Sequence, residues 1–333
     1  MKIDQIPAKL KQFKHNYTKG EAFDFDDIMF TLWDWQSKCN PVFATFLKDI
    51  NPNRNLDLLS PRFLPIAAFK NFNVQSYSFN AKEVFKSSGT TDMTRSSHYI
   101  SDSSWVSVVN HRIFNECVAN VTDSIFLALL PGYVERPDSS LIYMLKGFIQ
   151  SSREPLSGFY LDQMDTLIQI LESSQIQKKI FLFAVPWFLF ELNRQFPNLK
   201  MRKVTIVETG GMKGRGPEMP KNILHHELSK MFEPLAIFSE YGMTELTSQA
   251  YAISKGRFTV PSTMKILITE VNDPFEICKP GQSGNICIID LANIDSCAFI
   301  RTDDLGKIND DGTFEVIGRI DHADLRGCNL LAG

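Results

Sequence analysis

Residues 86–95 read Lys-Ser-Ser-Gly-Thr-Thr-Asp-Met-Thr-Arg. Ser87, Ser88, Thr90 and Thr91 set four hydroxyls around Gly89. A glycine lets the backbone come close to an anion and turn its N–H groups toward it. Serine, threonine and glycine also make ordinary turns, so the run alone leaves both readings open. Apolar Val84 and Phe85 lead into it and residues 98–100 lead out. That predicts two short strands with the loop between them.

Working outward, residues 24–50 carry aromatic and aliphatic side chains at helical spacing, with a break at Pro41. Residues 60–73 read as extended and packed. Ser101-Asp-Ser-Ser offers N-cap residues for a helix reaching about Asn120. Strand and helix signals then alternate. Strands are expected at 124–130, 180–185, 204–207 and 235–238, and helices at 139–150, 162–171 and 220–232. This order predicts an α/β domain with a buried, mostly parallel sheet flanked by helices. Past about Met264 the pattern becomes short strands at 265–270, 285–290 and 313–317, with Asp310-Asp-Gly312 as a hairpin turn. A smaller antiparallel part is expected there.

The chain has 333 residues, 44% of them hydrophobic, enough for a large core. Its net charge of −3 gives no electrostatic footprint for nucleic acid or an anionic membrane. No run of about 18 apolar residues is present, which argues against a spanning helix. Residues 180–192 contain Pro186 and Glu191 and read as a strand followed by a helix. The N-terminal residues lack an apolar signal core. Cys39, Cys117, Cys278, Cys287, Cys297 and Cys328 form no Cys-x-x-Cys pair and no zinc spacing with histidine. Free thiols in a reducing cytoplasm, without a structural metal, are the expectation.

Three later segments bear chemistry. Tyr241-Gly242-Met243-Thr244-Glu245 follows a predicted strand and reads as opening a helix. Its glutamate is either a hard ligand for a divalent cation or a solvated acid favoured by a helix dipole. Arg301-Thr-Asp-Asp304-Leu-Gly and Gly318-Arg319-Ile-Asp321 lie on either side of the predicted hairpin turn. Asp304 is a candidate acceptor for paired hydroxyls, or part of an acidic surface turn. A fourth segment, Thr209-Gly210-Gly211-Met212-Lys213-Gly214-Arg215-Gly216, follows the strand at 204–207. Gly210 and Gly211 permit close approach to a ligand, and Lys213 and Arg215 either meet phosphate or belong to a flexible basic loop.

Together these segments resemble the adenylate-forming (acyl-activating) superfamily, from roughly residue 60 to the end. Within it the chain is most similar to acyl-protein synthetases of the LuxE type, with phenylacetate-CoA ligases as relatives. Thr-Gly-Gly-Met-Lys-Gly and the ending Leu325-Arg326-Gly327-Cys328-Asn-Leu-Leu carry that closer resemblance. The resemblance implies ATP and Mg²⁺ as cofactors. It places Ser87, Ser88, Gly89, Thr90, Thr91, Gly210, Gly211, Tyr241, Gly242, Thr244, Asp304 and Arg319 on ATP, and Glu245 on the metal. Asp303 stands where the family has glycine.

It also implies a domain over 1–318, with a β-rich subregion at about 264–318. Residues 319–333 are then a hinge remnant and cysteine-bearing tail. Twelve residues follow Asp321, where the wider superfamily continues into a small domain bearing a lysine. Lys213 or Arg215 is the candidate replacement cation. The implied activity is activation of a carboxylic acid, a fatty acid by the closer resemblance, as acyl-AMP. The acyl group would then pass to Cys328 and on to a LuxC-type acyl reductase. Alternatives are a ligase charging CoA or an acyl carrier protein directly, and an inactive nucleotide-binding scaffold. Neither nucleic acid nor a membrane span is expected, and the location implied is cytoplasmic. The 26 phenylalanines either wall an acyl pocket or are plain core.

Overall fold

The computed structural model describes residues 6–50, 62–88, 94–130, 136–211 and 219–320. Three helices come first: α1 (Ala8–Lys19), α2 (Phe25–Cys39) and α3 (Pro41–Ile50). The Asp24 carboxylate caps α2 by accepting from the Asp27 N–H. Pro41 does break the helical run, and it occupies the first position of α3, where a missing N–H costs nothing. The short elements β1 (Leu64–Pro65) and α4 (Ala68–Asn71) follow. Residues 60–73 are therefore not extended throughout: part of them closes one helical turn over buried Phe69.

Strands β2 (Glu83–Lys86) and β3 (Ser97–Ile100) form a separate antiparallel hairpin around the hydroxyl-rich segment. Next come α5 (Ser103–Cys117), capped by Asp102, then β4 (Ser124–Leu129), α6 (Ser140–Ser152), β5 (Gly158–Phe159) and α7 (Met164–Glu172). The chain continues with β6 (Lys179–Ala184), α8 (Pro186–Gln195), β7 (Val204–Glu208), α9 (Lys221–Phe232) and β8 (Ala236–Tyr241). The antiparallel strands are β9 (Ala250–Ser254), β10 (Arg257–Thr259), β11 (Met264–Thr269), β12 (Gly284–Asp290), β13 (Phe299–Ile308) and β14 (Phe314–Arg319).

One sheet runs in the order β11-β12-β13-β14-β10-β9-β8-β7-β6-β4-β5, with β1 beside β13. Strands β5, β4, β6, β7 and β8 are parallel. Antiparallel pairing begins at β9 and continues to β11. It therefore starts earlier than the turn signals near Met264 indicate.

Both faces of the parallel half are buried, in alternation along each strand. Phe126, Ala128, Phe181, Phe183 and Val207 join the cluster containing Ile113 and Phe114 of α5 and Leu145 and Phe148 of α6. Ile125, Leu127, Ile180, Leu182, Val204 and Ile206 pack with Leu167 of α7, Leu189 of α8 and Leu224 and Leu228 of α9. Each of these side chains larger than alanine contributes about 1.5–3 kcal/mol by leaving water. Phe114 packs against Phe126, Phe148 and Phe181 at ring separations of 5.3, 5.0 and 5.3 Å. Those phenylalanines are core. No helix among the described residues is long and apolar enough to cross a membrane.

Candidate active site

In an open α/β sheet the ends of parallel strands at their carboxyl side are where loops can converge on a ligand. Here β7 ends at Glu208 and β8 at Tyr241. Thr209, Gly210 and Gly211 follow β7, and the two glycines take φ of 76° and 62°, the left-handed region that favours glycine. The Thr209 hydroxyl donates to the Glu240 carboxylate, which ties this loop to the end of β8.

Tyr241 is buried between Phe258 and Phe314, at ring separations of 5.7 and 5.6 Å. Its hydroxyl donates to Asp304 Oδ2 at 2.9 Å. Burial, and then the Asp304 charge, push the phenol well above its ordinary range, so it stays a donor. Arg319 Nε donates to Asp304 Oδ1 at 3.1 Å. Three separate sequence segments thus meet at one carboxylate, and each of its oxygens retains a second lone pair. Asp304 lies inside strand β13 rather than in a surface turn, and its position faces Arg319 across the β13–β14 pair. Gly306 is required there, because a Cβ would come within 2.4 Å of the Glu315 carbonyl.

The turn after Tyr241 does not open a helix. It leads into antiparallel β9. The N–H groups of Thr247 and Ser248 both donate to Asp290 Oδ2 at 2.9 Å. Asn293 Nδ2 donates to the Glu245 carbonyl at 2.8 Å, and its Oδ1 accepts from the Thr247 hydroxyl at 2.7 Å. Backbone donors and acceptors that a helix would use are taken by Asp290 at the end of β12 and by Asn293 in the β12–β13 connection.

Glu245 is 5% exposed, and burial pushes its carboxyl up against a hydrogen bond from the Ser96 hydroxyl that favours the anion. Ser96 belongs to the hydroxyl-loop hairpin: its N–H donates to Ser87 Oγ at 2.9 Å, and its carbonyl accepts from the Ser87 N–H at 3.1 Å. His98 Nδ1 makes a 2.9 Å hydrogen bond with the Thr244 carbonyl. Burial pulls His98 down to about 4, so the ring is neutral and Nδ1 is the donor. Ser96 and His98 were not singled out by the sequence motifs, although both lie within a few residues of the loop.

Among the described residues no three His, Cys, Asp or Glu side chains cluster as a metal cage. A single buried carboxylate beside a hydroxyl does fit Mg²⁺, which takes one or two carboxylates and fills its shell with phosphate and water. Below the Gly210–Gly211 turn, fully buried Glu208 accepts from Lys221 Nζ at 2.5 Å and from the Ser239 hydroxyl, and lies 3.5 Å from His225 Nε2. Burial opposes its charge, but His225 and Lys221 outweigh that and hold its carboxyl below the ordinary range. At Glu240 the Lys221 charge and the Thr209 hydroxyl favour the anion but are outweighed. Burial, with Glu208 as neighbour, raises it to about 7.

Tyr241, Gly242, Thr244, Glu245, Asp304 and Arg319 are thus brought to one end of the sheet, with Ser87 and the Gly210–Gly211 turn attached to the same region. Ser88 is exposed. Gly89, Thr90, Thr91, Lys213, Arg215 and Cys328 lie outside the described residues.

The fold is that of the adenylate-forming enzymes. The structure of a 2-hydroxyisobutyryl-CoA ligase in an open conformation, with 2-HIB-AMP and CoA, matches at TM-score 0.64 and 13% identity, covering 90% of this chain and 69% of that chain. ATP-bound MatB from Rhodopseudomonas palustris matches at TM-score 0.55 and 19% identity, over 71% of this chain and 47% of that chain. A long-chain-fatty-acid-CoA ligase from Archaeoglobus fulgidus matches at 0.55 and 16%, over 74% and 53%. The chain spans about half the length of the MatB structure. At these identities the likeness is one of fold. No protein-family model matches the chain, and no curated protein matches it by sequence.

Proposed function

We propose that this protein is an ATP-dependent acyl-activating enzyme of the acyl-protein synthetase (LuxE-like) type. The observation that carries the reading is the meeting of Tyr241, Asp304 and Arg319, with Glu245 and the hydroxyl-loop hairpin attached, at the carboxyl ends of the parallel strands. Asp304 accepts the ribose hydroxyls through its free lone pairs. Tyr241 and Arg319 fix its rotamer before the nucleotide arrives. Gly210 and Gly211 let the base approach the backbone, and Ser87, Ser88, Gly89, Thr90 and Thr91 bind phosphate. Glu245 holds Mg²⁺, which supplies charge neutralisation at the triphosphate.

A carboxylate oxygen of the acid substrate attacks the α-phosphorus. The bond from that phosphorus to the bridging oxygen breaks, and acyl-AMP and pyrophosphate form. Catalysis here is positioning and electrostatics. The acyl group then passes to a thiolate, whose sulfur bonds to the carbonyl carbon as AMP leaves. Burial raises Cys117, Cys287 and Cys297 to about 12, and raises Cys39 and Cys278 as well. That disfavours them as nucleophiles and supports Cys328 as acceptor before a reductase partner. Lys213 or Arg215 serves as the cation at the reacting carboxylate.

The likeness to a CoA ligase over 90% of the chain favours a second reading, direct transfer to CoA or a carrier protein. Incubation with ATP, Mg²⁺ and a panel of fatty and aromatic acids, followed by intact mass, separates the two. A thiol-sensitive acyl adduct is expected. Release of acyl-CoA in the presence of CoA, without any adduct, gives the second reading instead.

A further inference from the structure

The connection between β12 and β13 is irregular and yet buried. Leu291, Asn293, Ile294, Ser296, Cys297 and Ala298 are each at most 1% exposed. Most loops run over the surface, because a buried one must find partners for its backbone polar groups. Here α2 supplies them. Gln36, itself fully buried, donates from Nε2 to the Asn293 carbonyl at 3.0 Å and to the Ile294 carbonyl at 3.2 Å. Its Oε1 accepts from the Ala298 N–H at 2.8 Å. One carboxamide thus ties both ends of the connection together. Asn40, which ends α2, donates to the Ser296 carbonyl at 2.9 Å.

Side chains of the same connection reach the proposed metal site. Asn293 Nδ2 donates to the Glu245 carbonyl at 2.8 Å and to the Cys297 carbonyl at 3.0 Å, and its Oδ1 accepts from the Thr247 hydroxyl. Asp295 Oδ2 accepts at 2.8 Å from the N–H of Ser101, one residue past β3 of the hydroxyl-loop hairpin. That hairpin also carries Ser96, whose hydroxyl donates to the Glu245 carboxylate. The turn bearing Glu245 is neither helix nor strand, so no backbone ladder fixes it. Its conformation depends on the buried connection, and the connection depends on α2.

We propose that Gln36 is a positioning residue for Glu245. It holds the Asn293 backbone, and the Asn293 side chain holds the Glu245 backbone where the carboxylate can meet Mg²⁺. This rests on the acyl-activating reading for the role of the metal, though not for the linkage. Gln36 lies 257 residues from Asn293 in sequence, on a helix that carries none of the motifs. Groups that orient a metal ligand without touching the metal typically change affinity about 10- to 100-fold when lost.

Gln36→Met fills the space and removes both ends of the amide. Leu189→Ala, packed on the other face of the sheet, controls for a general loss of stability. Two readouts are taken where every variant is folded by circular dichroism. Hydrogen exchange of residues 243–249, followed by mass spectrometry, should be about ten-fold faster in Gln36→Met, the scale of one lost hydrogen bond, and unchanged in Leu189→Ala. The Mg²⁺ concentration that half-maximally strengthens ATP binding, followed by calorimetry, should rise about ten-fold in Gln36→Met. The preference for ATP over 2′-deoxy-ATP should stay as in wild type. Asn293→Ala should show the same rise in Mg²⁺ requirement, and Gln36→Met on top of it should add nothing, because Gln36 acts through Asn293. If Gln36→Met does not fold, Gln36→Glu, which keeps the acceptor for Ala298 and loses both donors, takes its place.

Unchanged hydrogen exchange in the folded Gln36 variant would overturn the proposal. Faster exchange with an unaltered Mg²⁺ requirement would also overturn it, leaving a structural role alone. Equal changes in Leu189→Ala, additive effects of the Gln36 and Asn293 substitutions, or ATP binding indifferent to Mg²⁺ in wild type would do the same. A Gln36 effect on both readouts, in a protein without acid-dependent turnover of ATP, would remove the acyl-activating reading and leave the positioning role standing.

Discussion

Replacing Asp304 by alanine removes the point where the three segments meet. In the free protein it deprives the Tyr241 hydroxyl of its acceptor at 2.9 Å and Arg319 of its partner at 3.1 Å. The Arg319 side chain is 77% exposed and turns to water at little cost. The Tyr241 hydroxyl is buried, so stranding it destabilises by about 1–3 kcal/mol. The loss in nucleotide binding is separate. Charge-assisted hydrogen bonds to ribose are worth about 2–3 kcal/mol together, or roughly 30- to 150-fold in affinity. Tyr241→Phe is the internal control, since it removes the phenol and leaves Asp304 paired with Arg319. It should retain ribose recognition. The assay is the affinity for ATP against 2′-deoxy-ATP, with thermal unfolding in parallel. Asp304→Ala should lose the discrimination between the two nucleotides. Discrimination equal to wild type in a folded Asp304→Ala protein would refute the assignment and move attention to Asp303.

Glu245→Gln should fold normally and form adenylate about 10²-fold more slowly, the scale of one lost electrostatic contact; steady-state and single-turnover rates at saturating Mg²⁺ check this. Glu240 sits near 7 in the folded chain against an ordinary 4.5, so the folded state holds its proton more tightly and stability falls as pH rises through that window. Glu240→Gln should accordingly gain stability over wild type, from near zero at pH 4.5 to about 3 kcal/mol above pH 7, as read from urea unfolding at a series of pH values. Cys328→Ser should keep ATP–pyrophosphate exchange near normal and lose thiol-sensitive acyl labelling; a variant that still passes acyl groups on at full rate would favour direct ligation to CoA or a carrier protein.

The layered parallel sheet was legible because near-continuous apolar runs such as 180–185 and 204–207, of strand length, are buried on both faces and separated by helix-length segments. Pro41 and Pro186 announced their helix starts through local chemistry. The turn at 241–248 was not legible. Its conformation depends on Asp290 and Asn293, more than forty residues away, and a local reading of Tyr-Gly-Met-Thr-Glu cannot include them. The antiparallel extent was understated for a similar reason. Strand β13 holds Arg301–Gly306, whose charged residues look like a turn, and it is fixed as a strand by pairing with β12 and β14. At the site, the motif residues Tyr241, Asp304 and Arg319 could be singled out one by one, whereas their convergence on a single carboxylate appears only in three dimensions. Glu240 and His98 had no motif. Their character comes from burial and from neighbours distant in sequence.

Carboxylate-dependent exchange of labelled pyrophosphate into ATP tests the central claim most directly. It reads formation and reversal of acyl-AMP whatever the final acceptor. With a suitable fatty or aromatic acid, wild type should exchange label, exchange should stop without acid, and it should fall about 10²-fold or more in Glu245→Gln. Label entering ATP equally with and without acid, or no exchange with any acid across a broad panel while ATP still binds, would contradict the account and leave a nucleotide-binding scaffold.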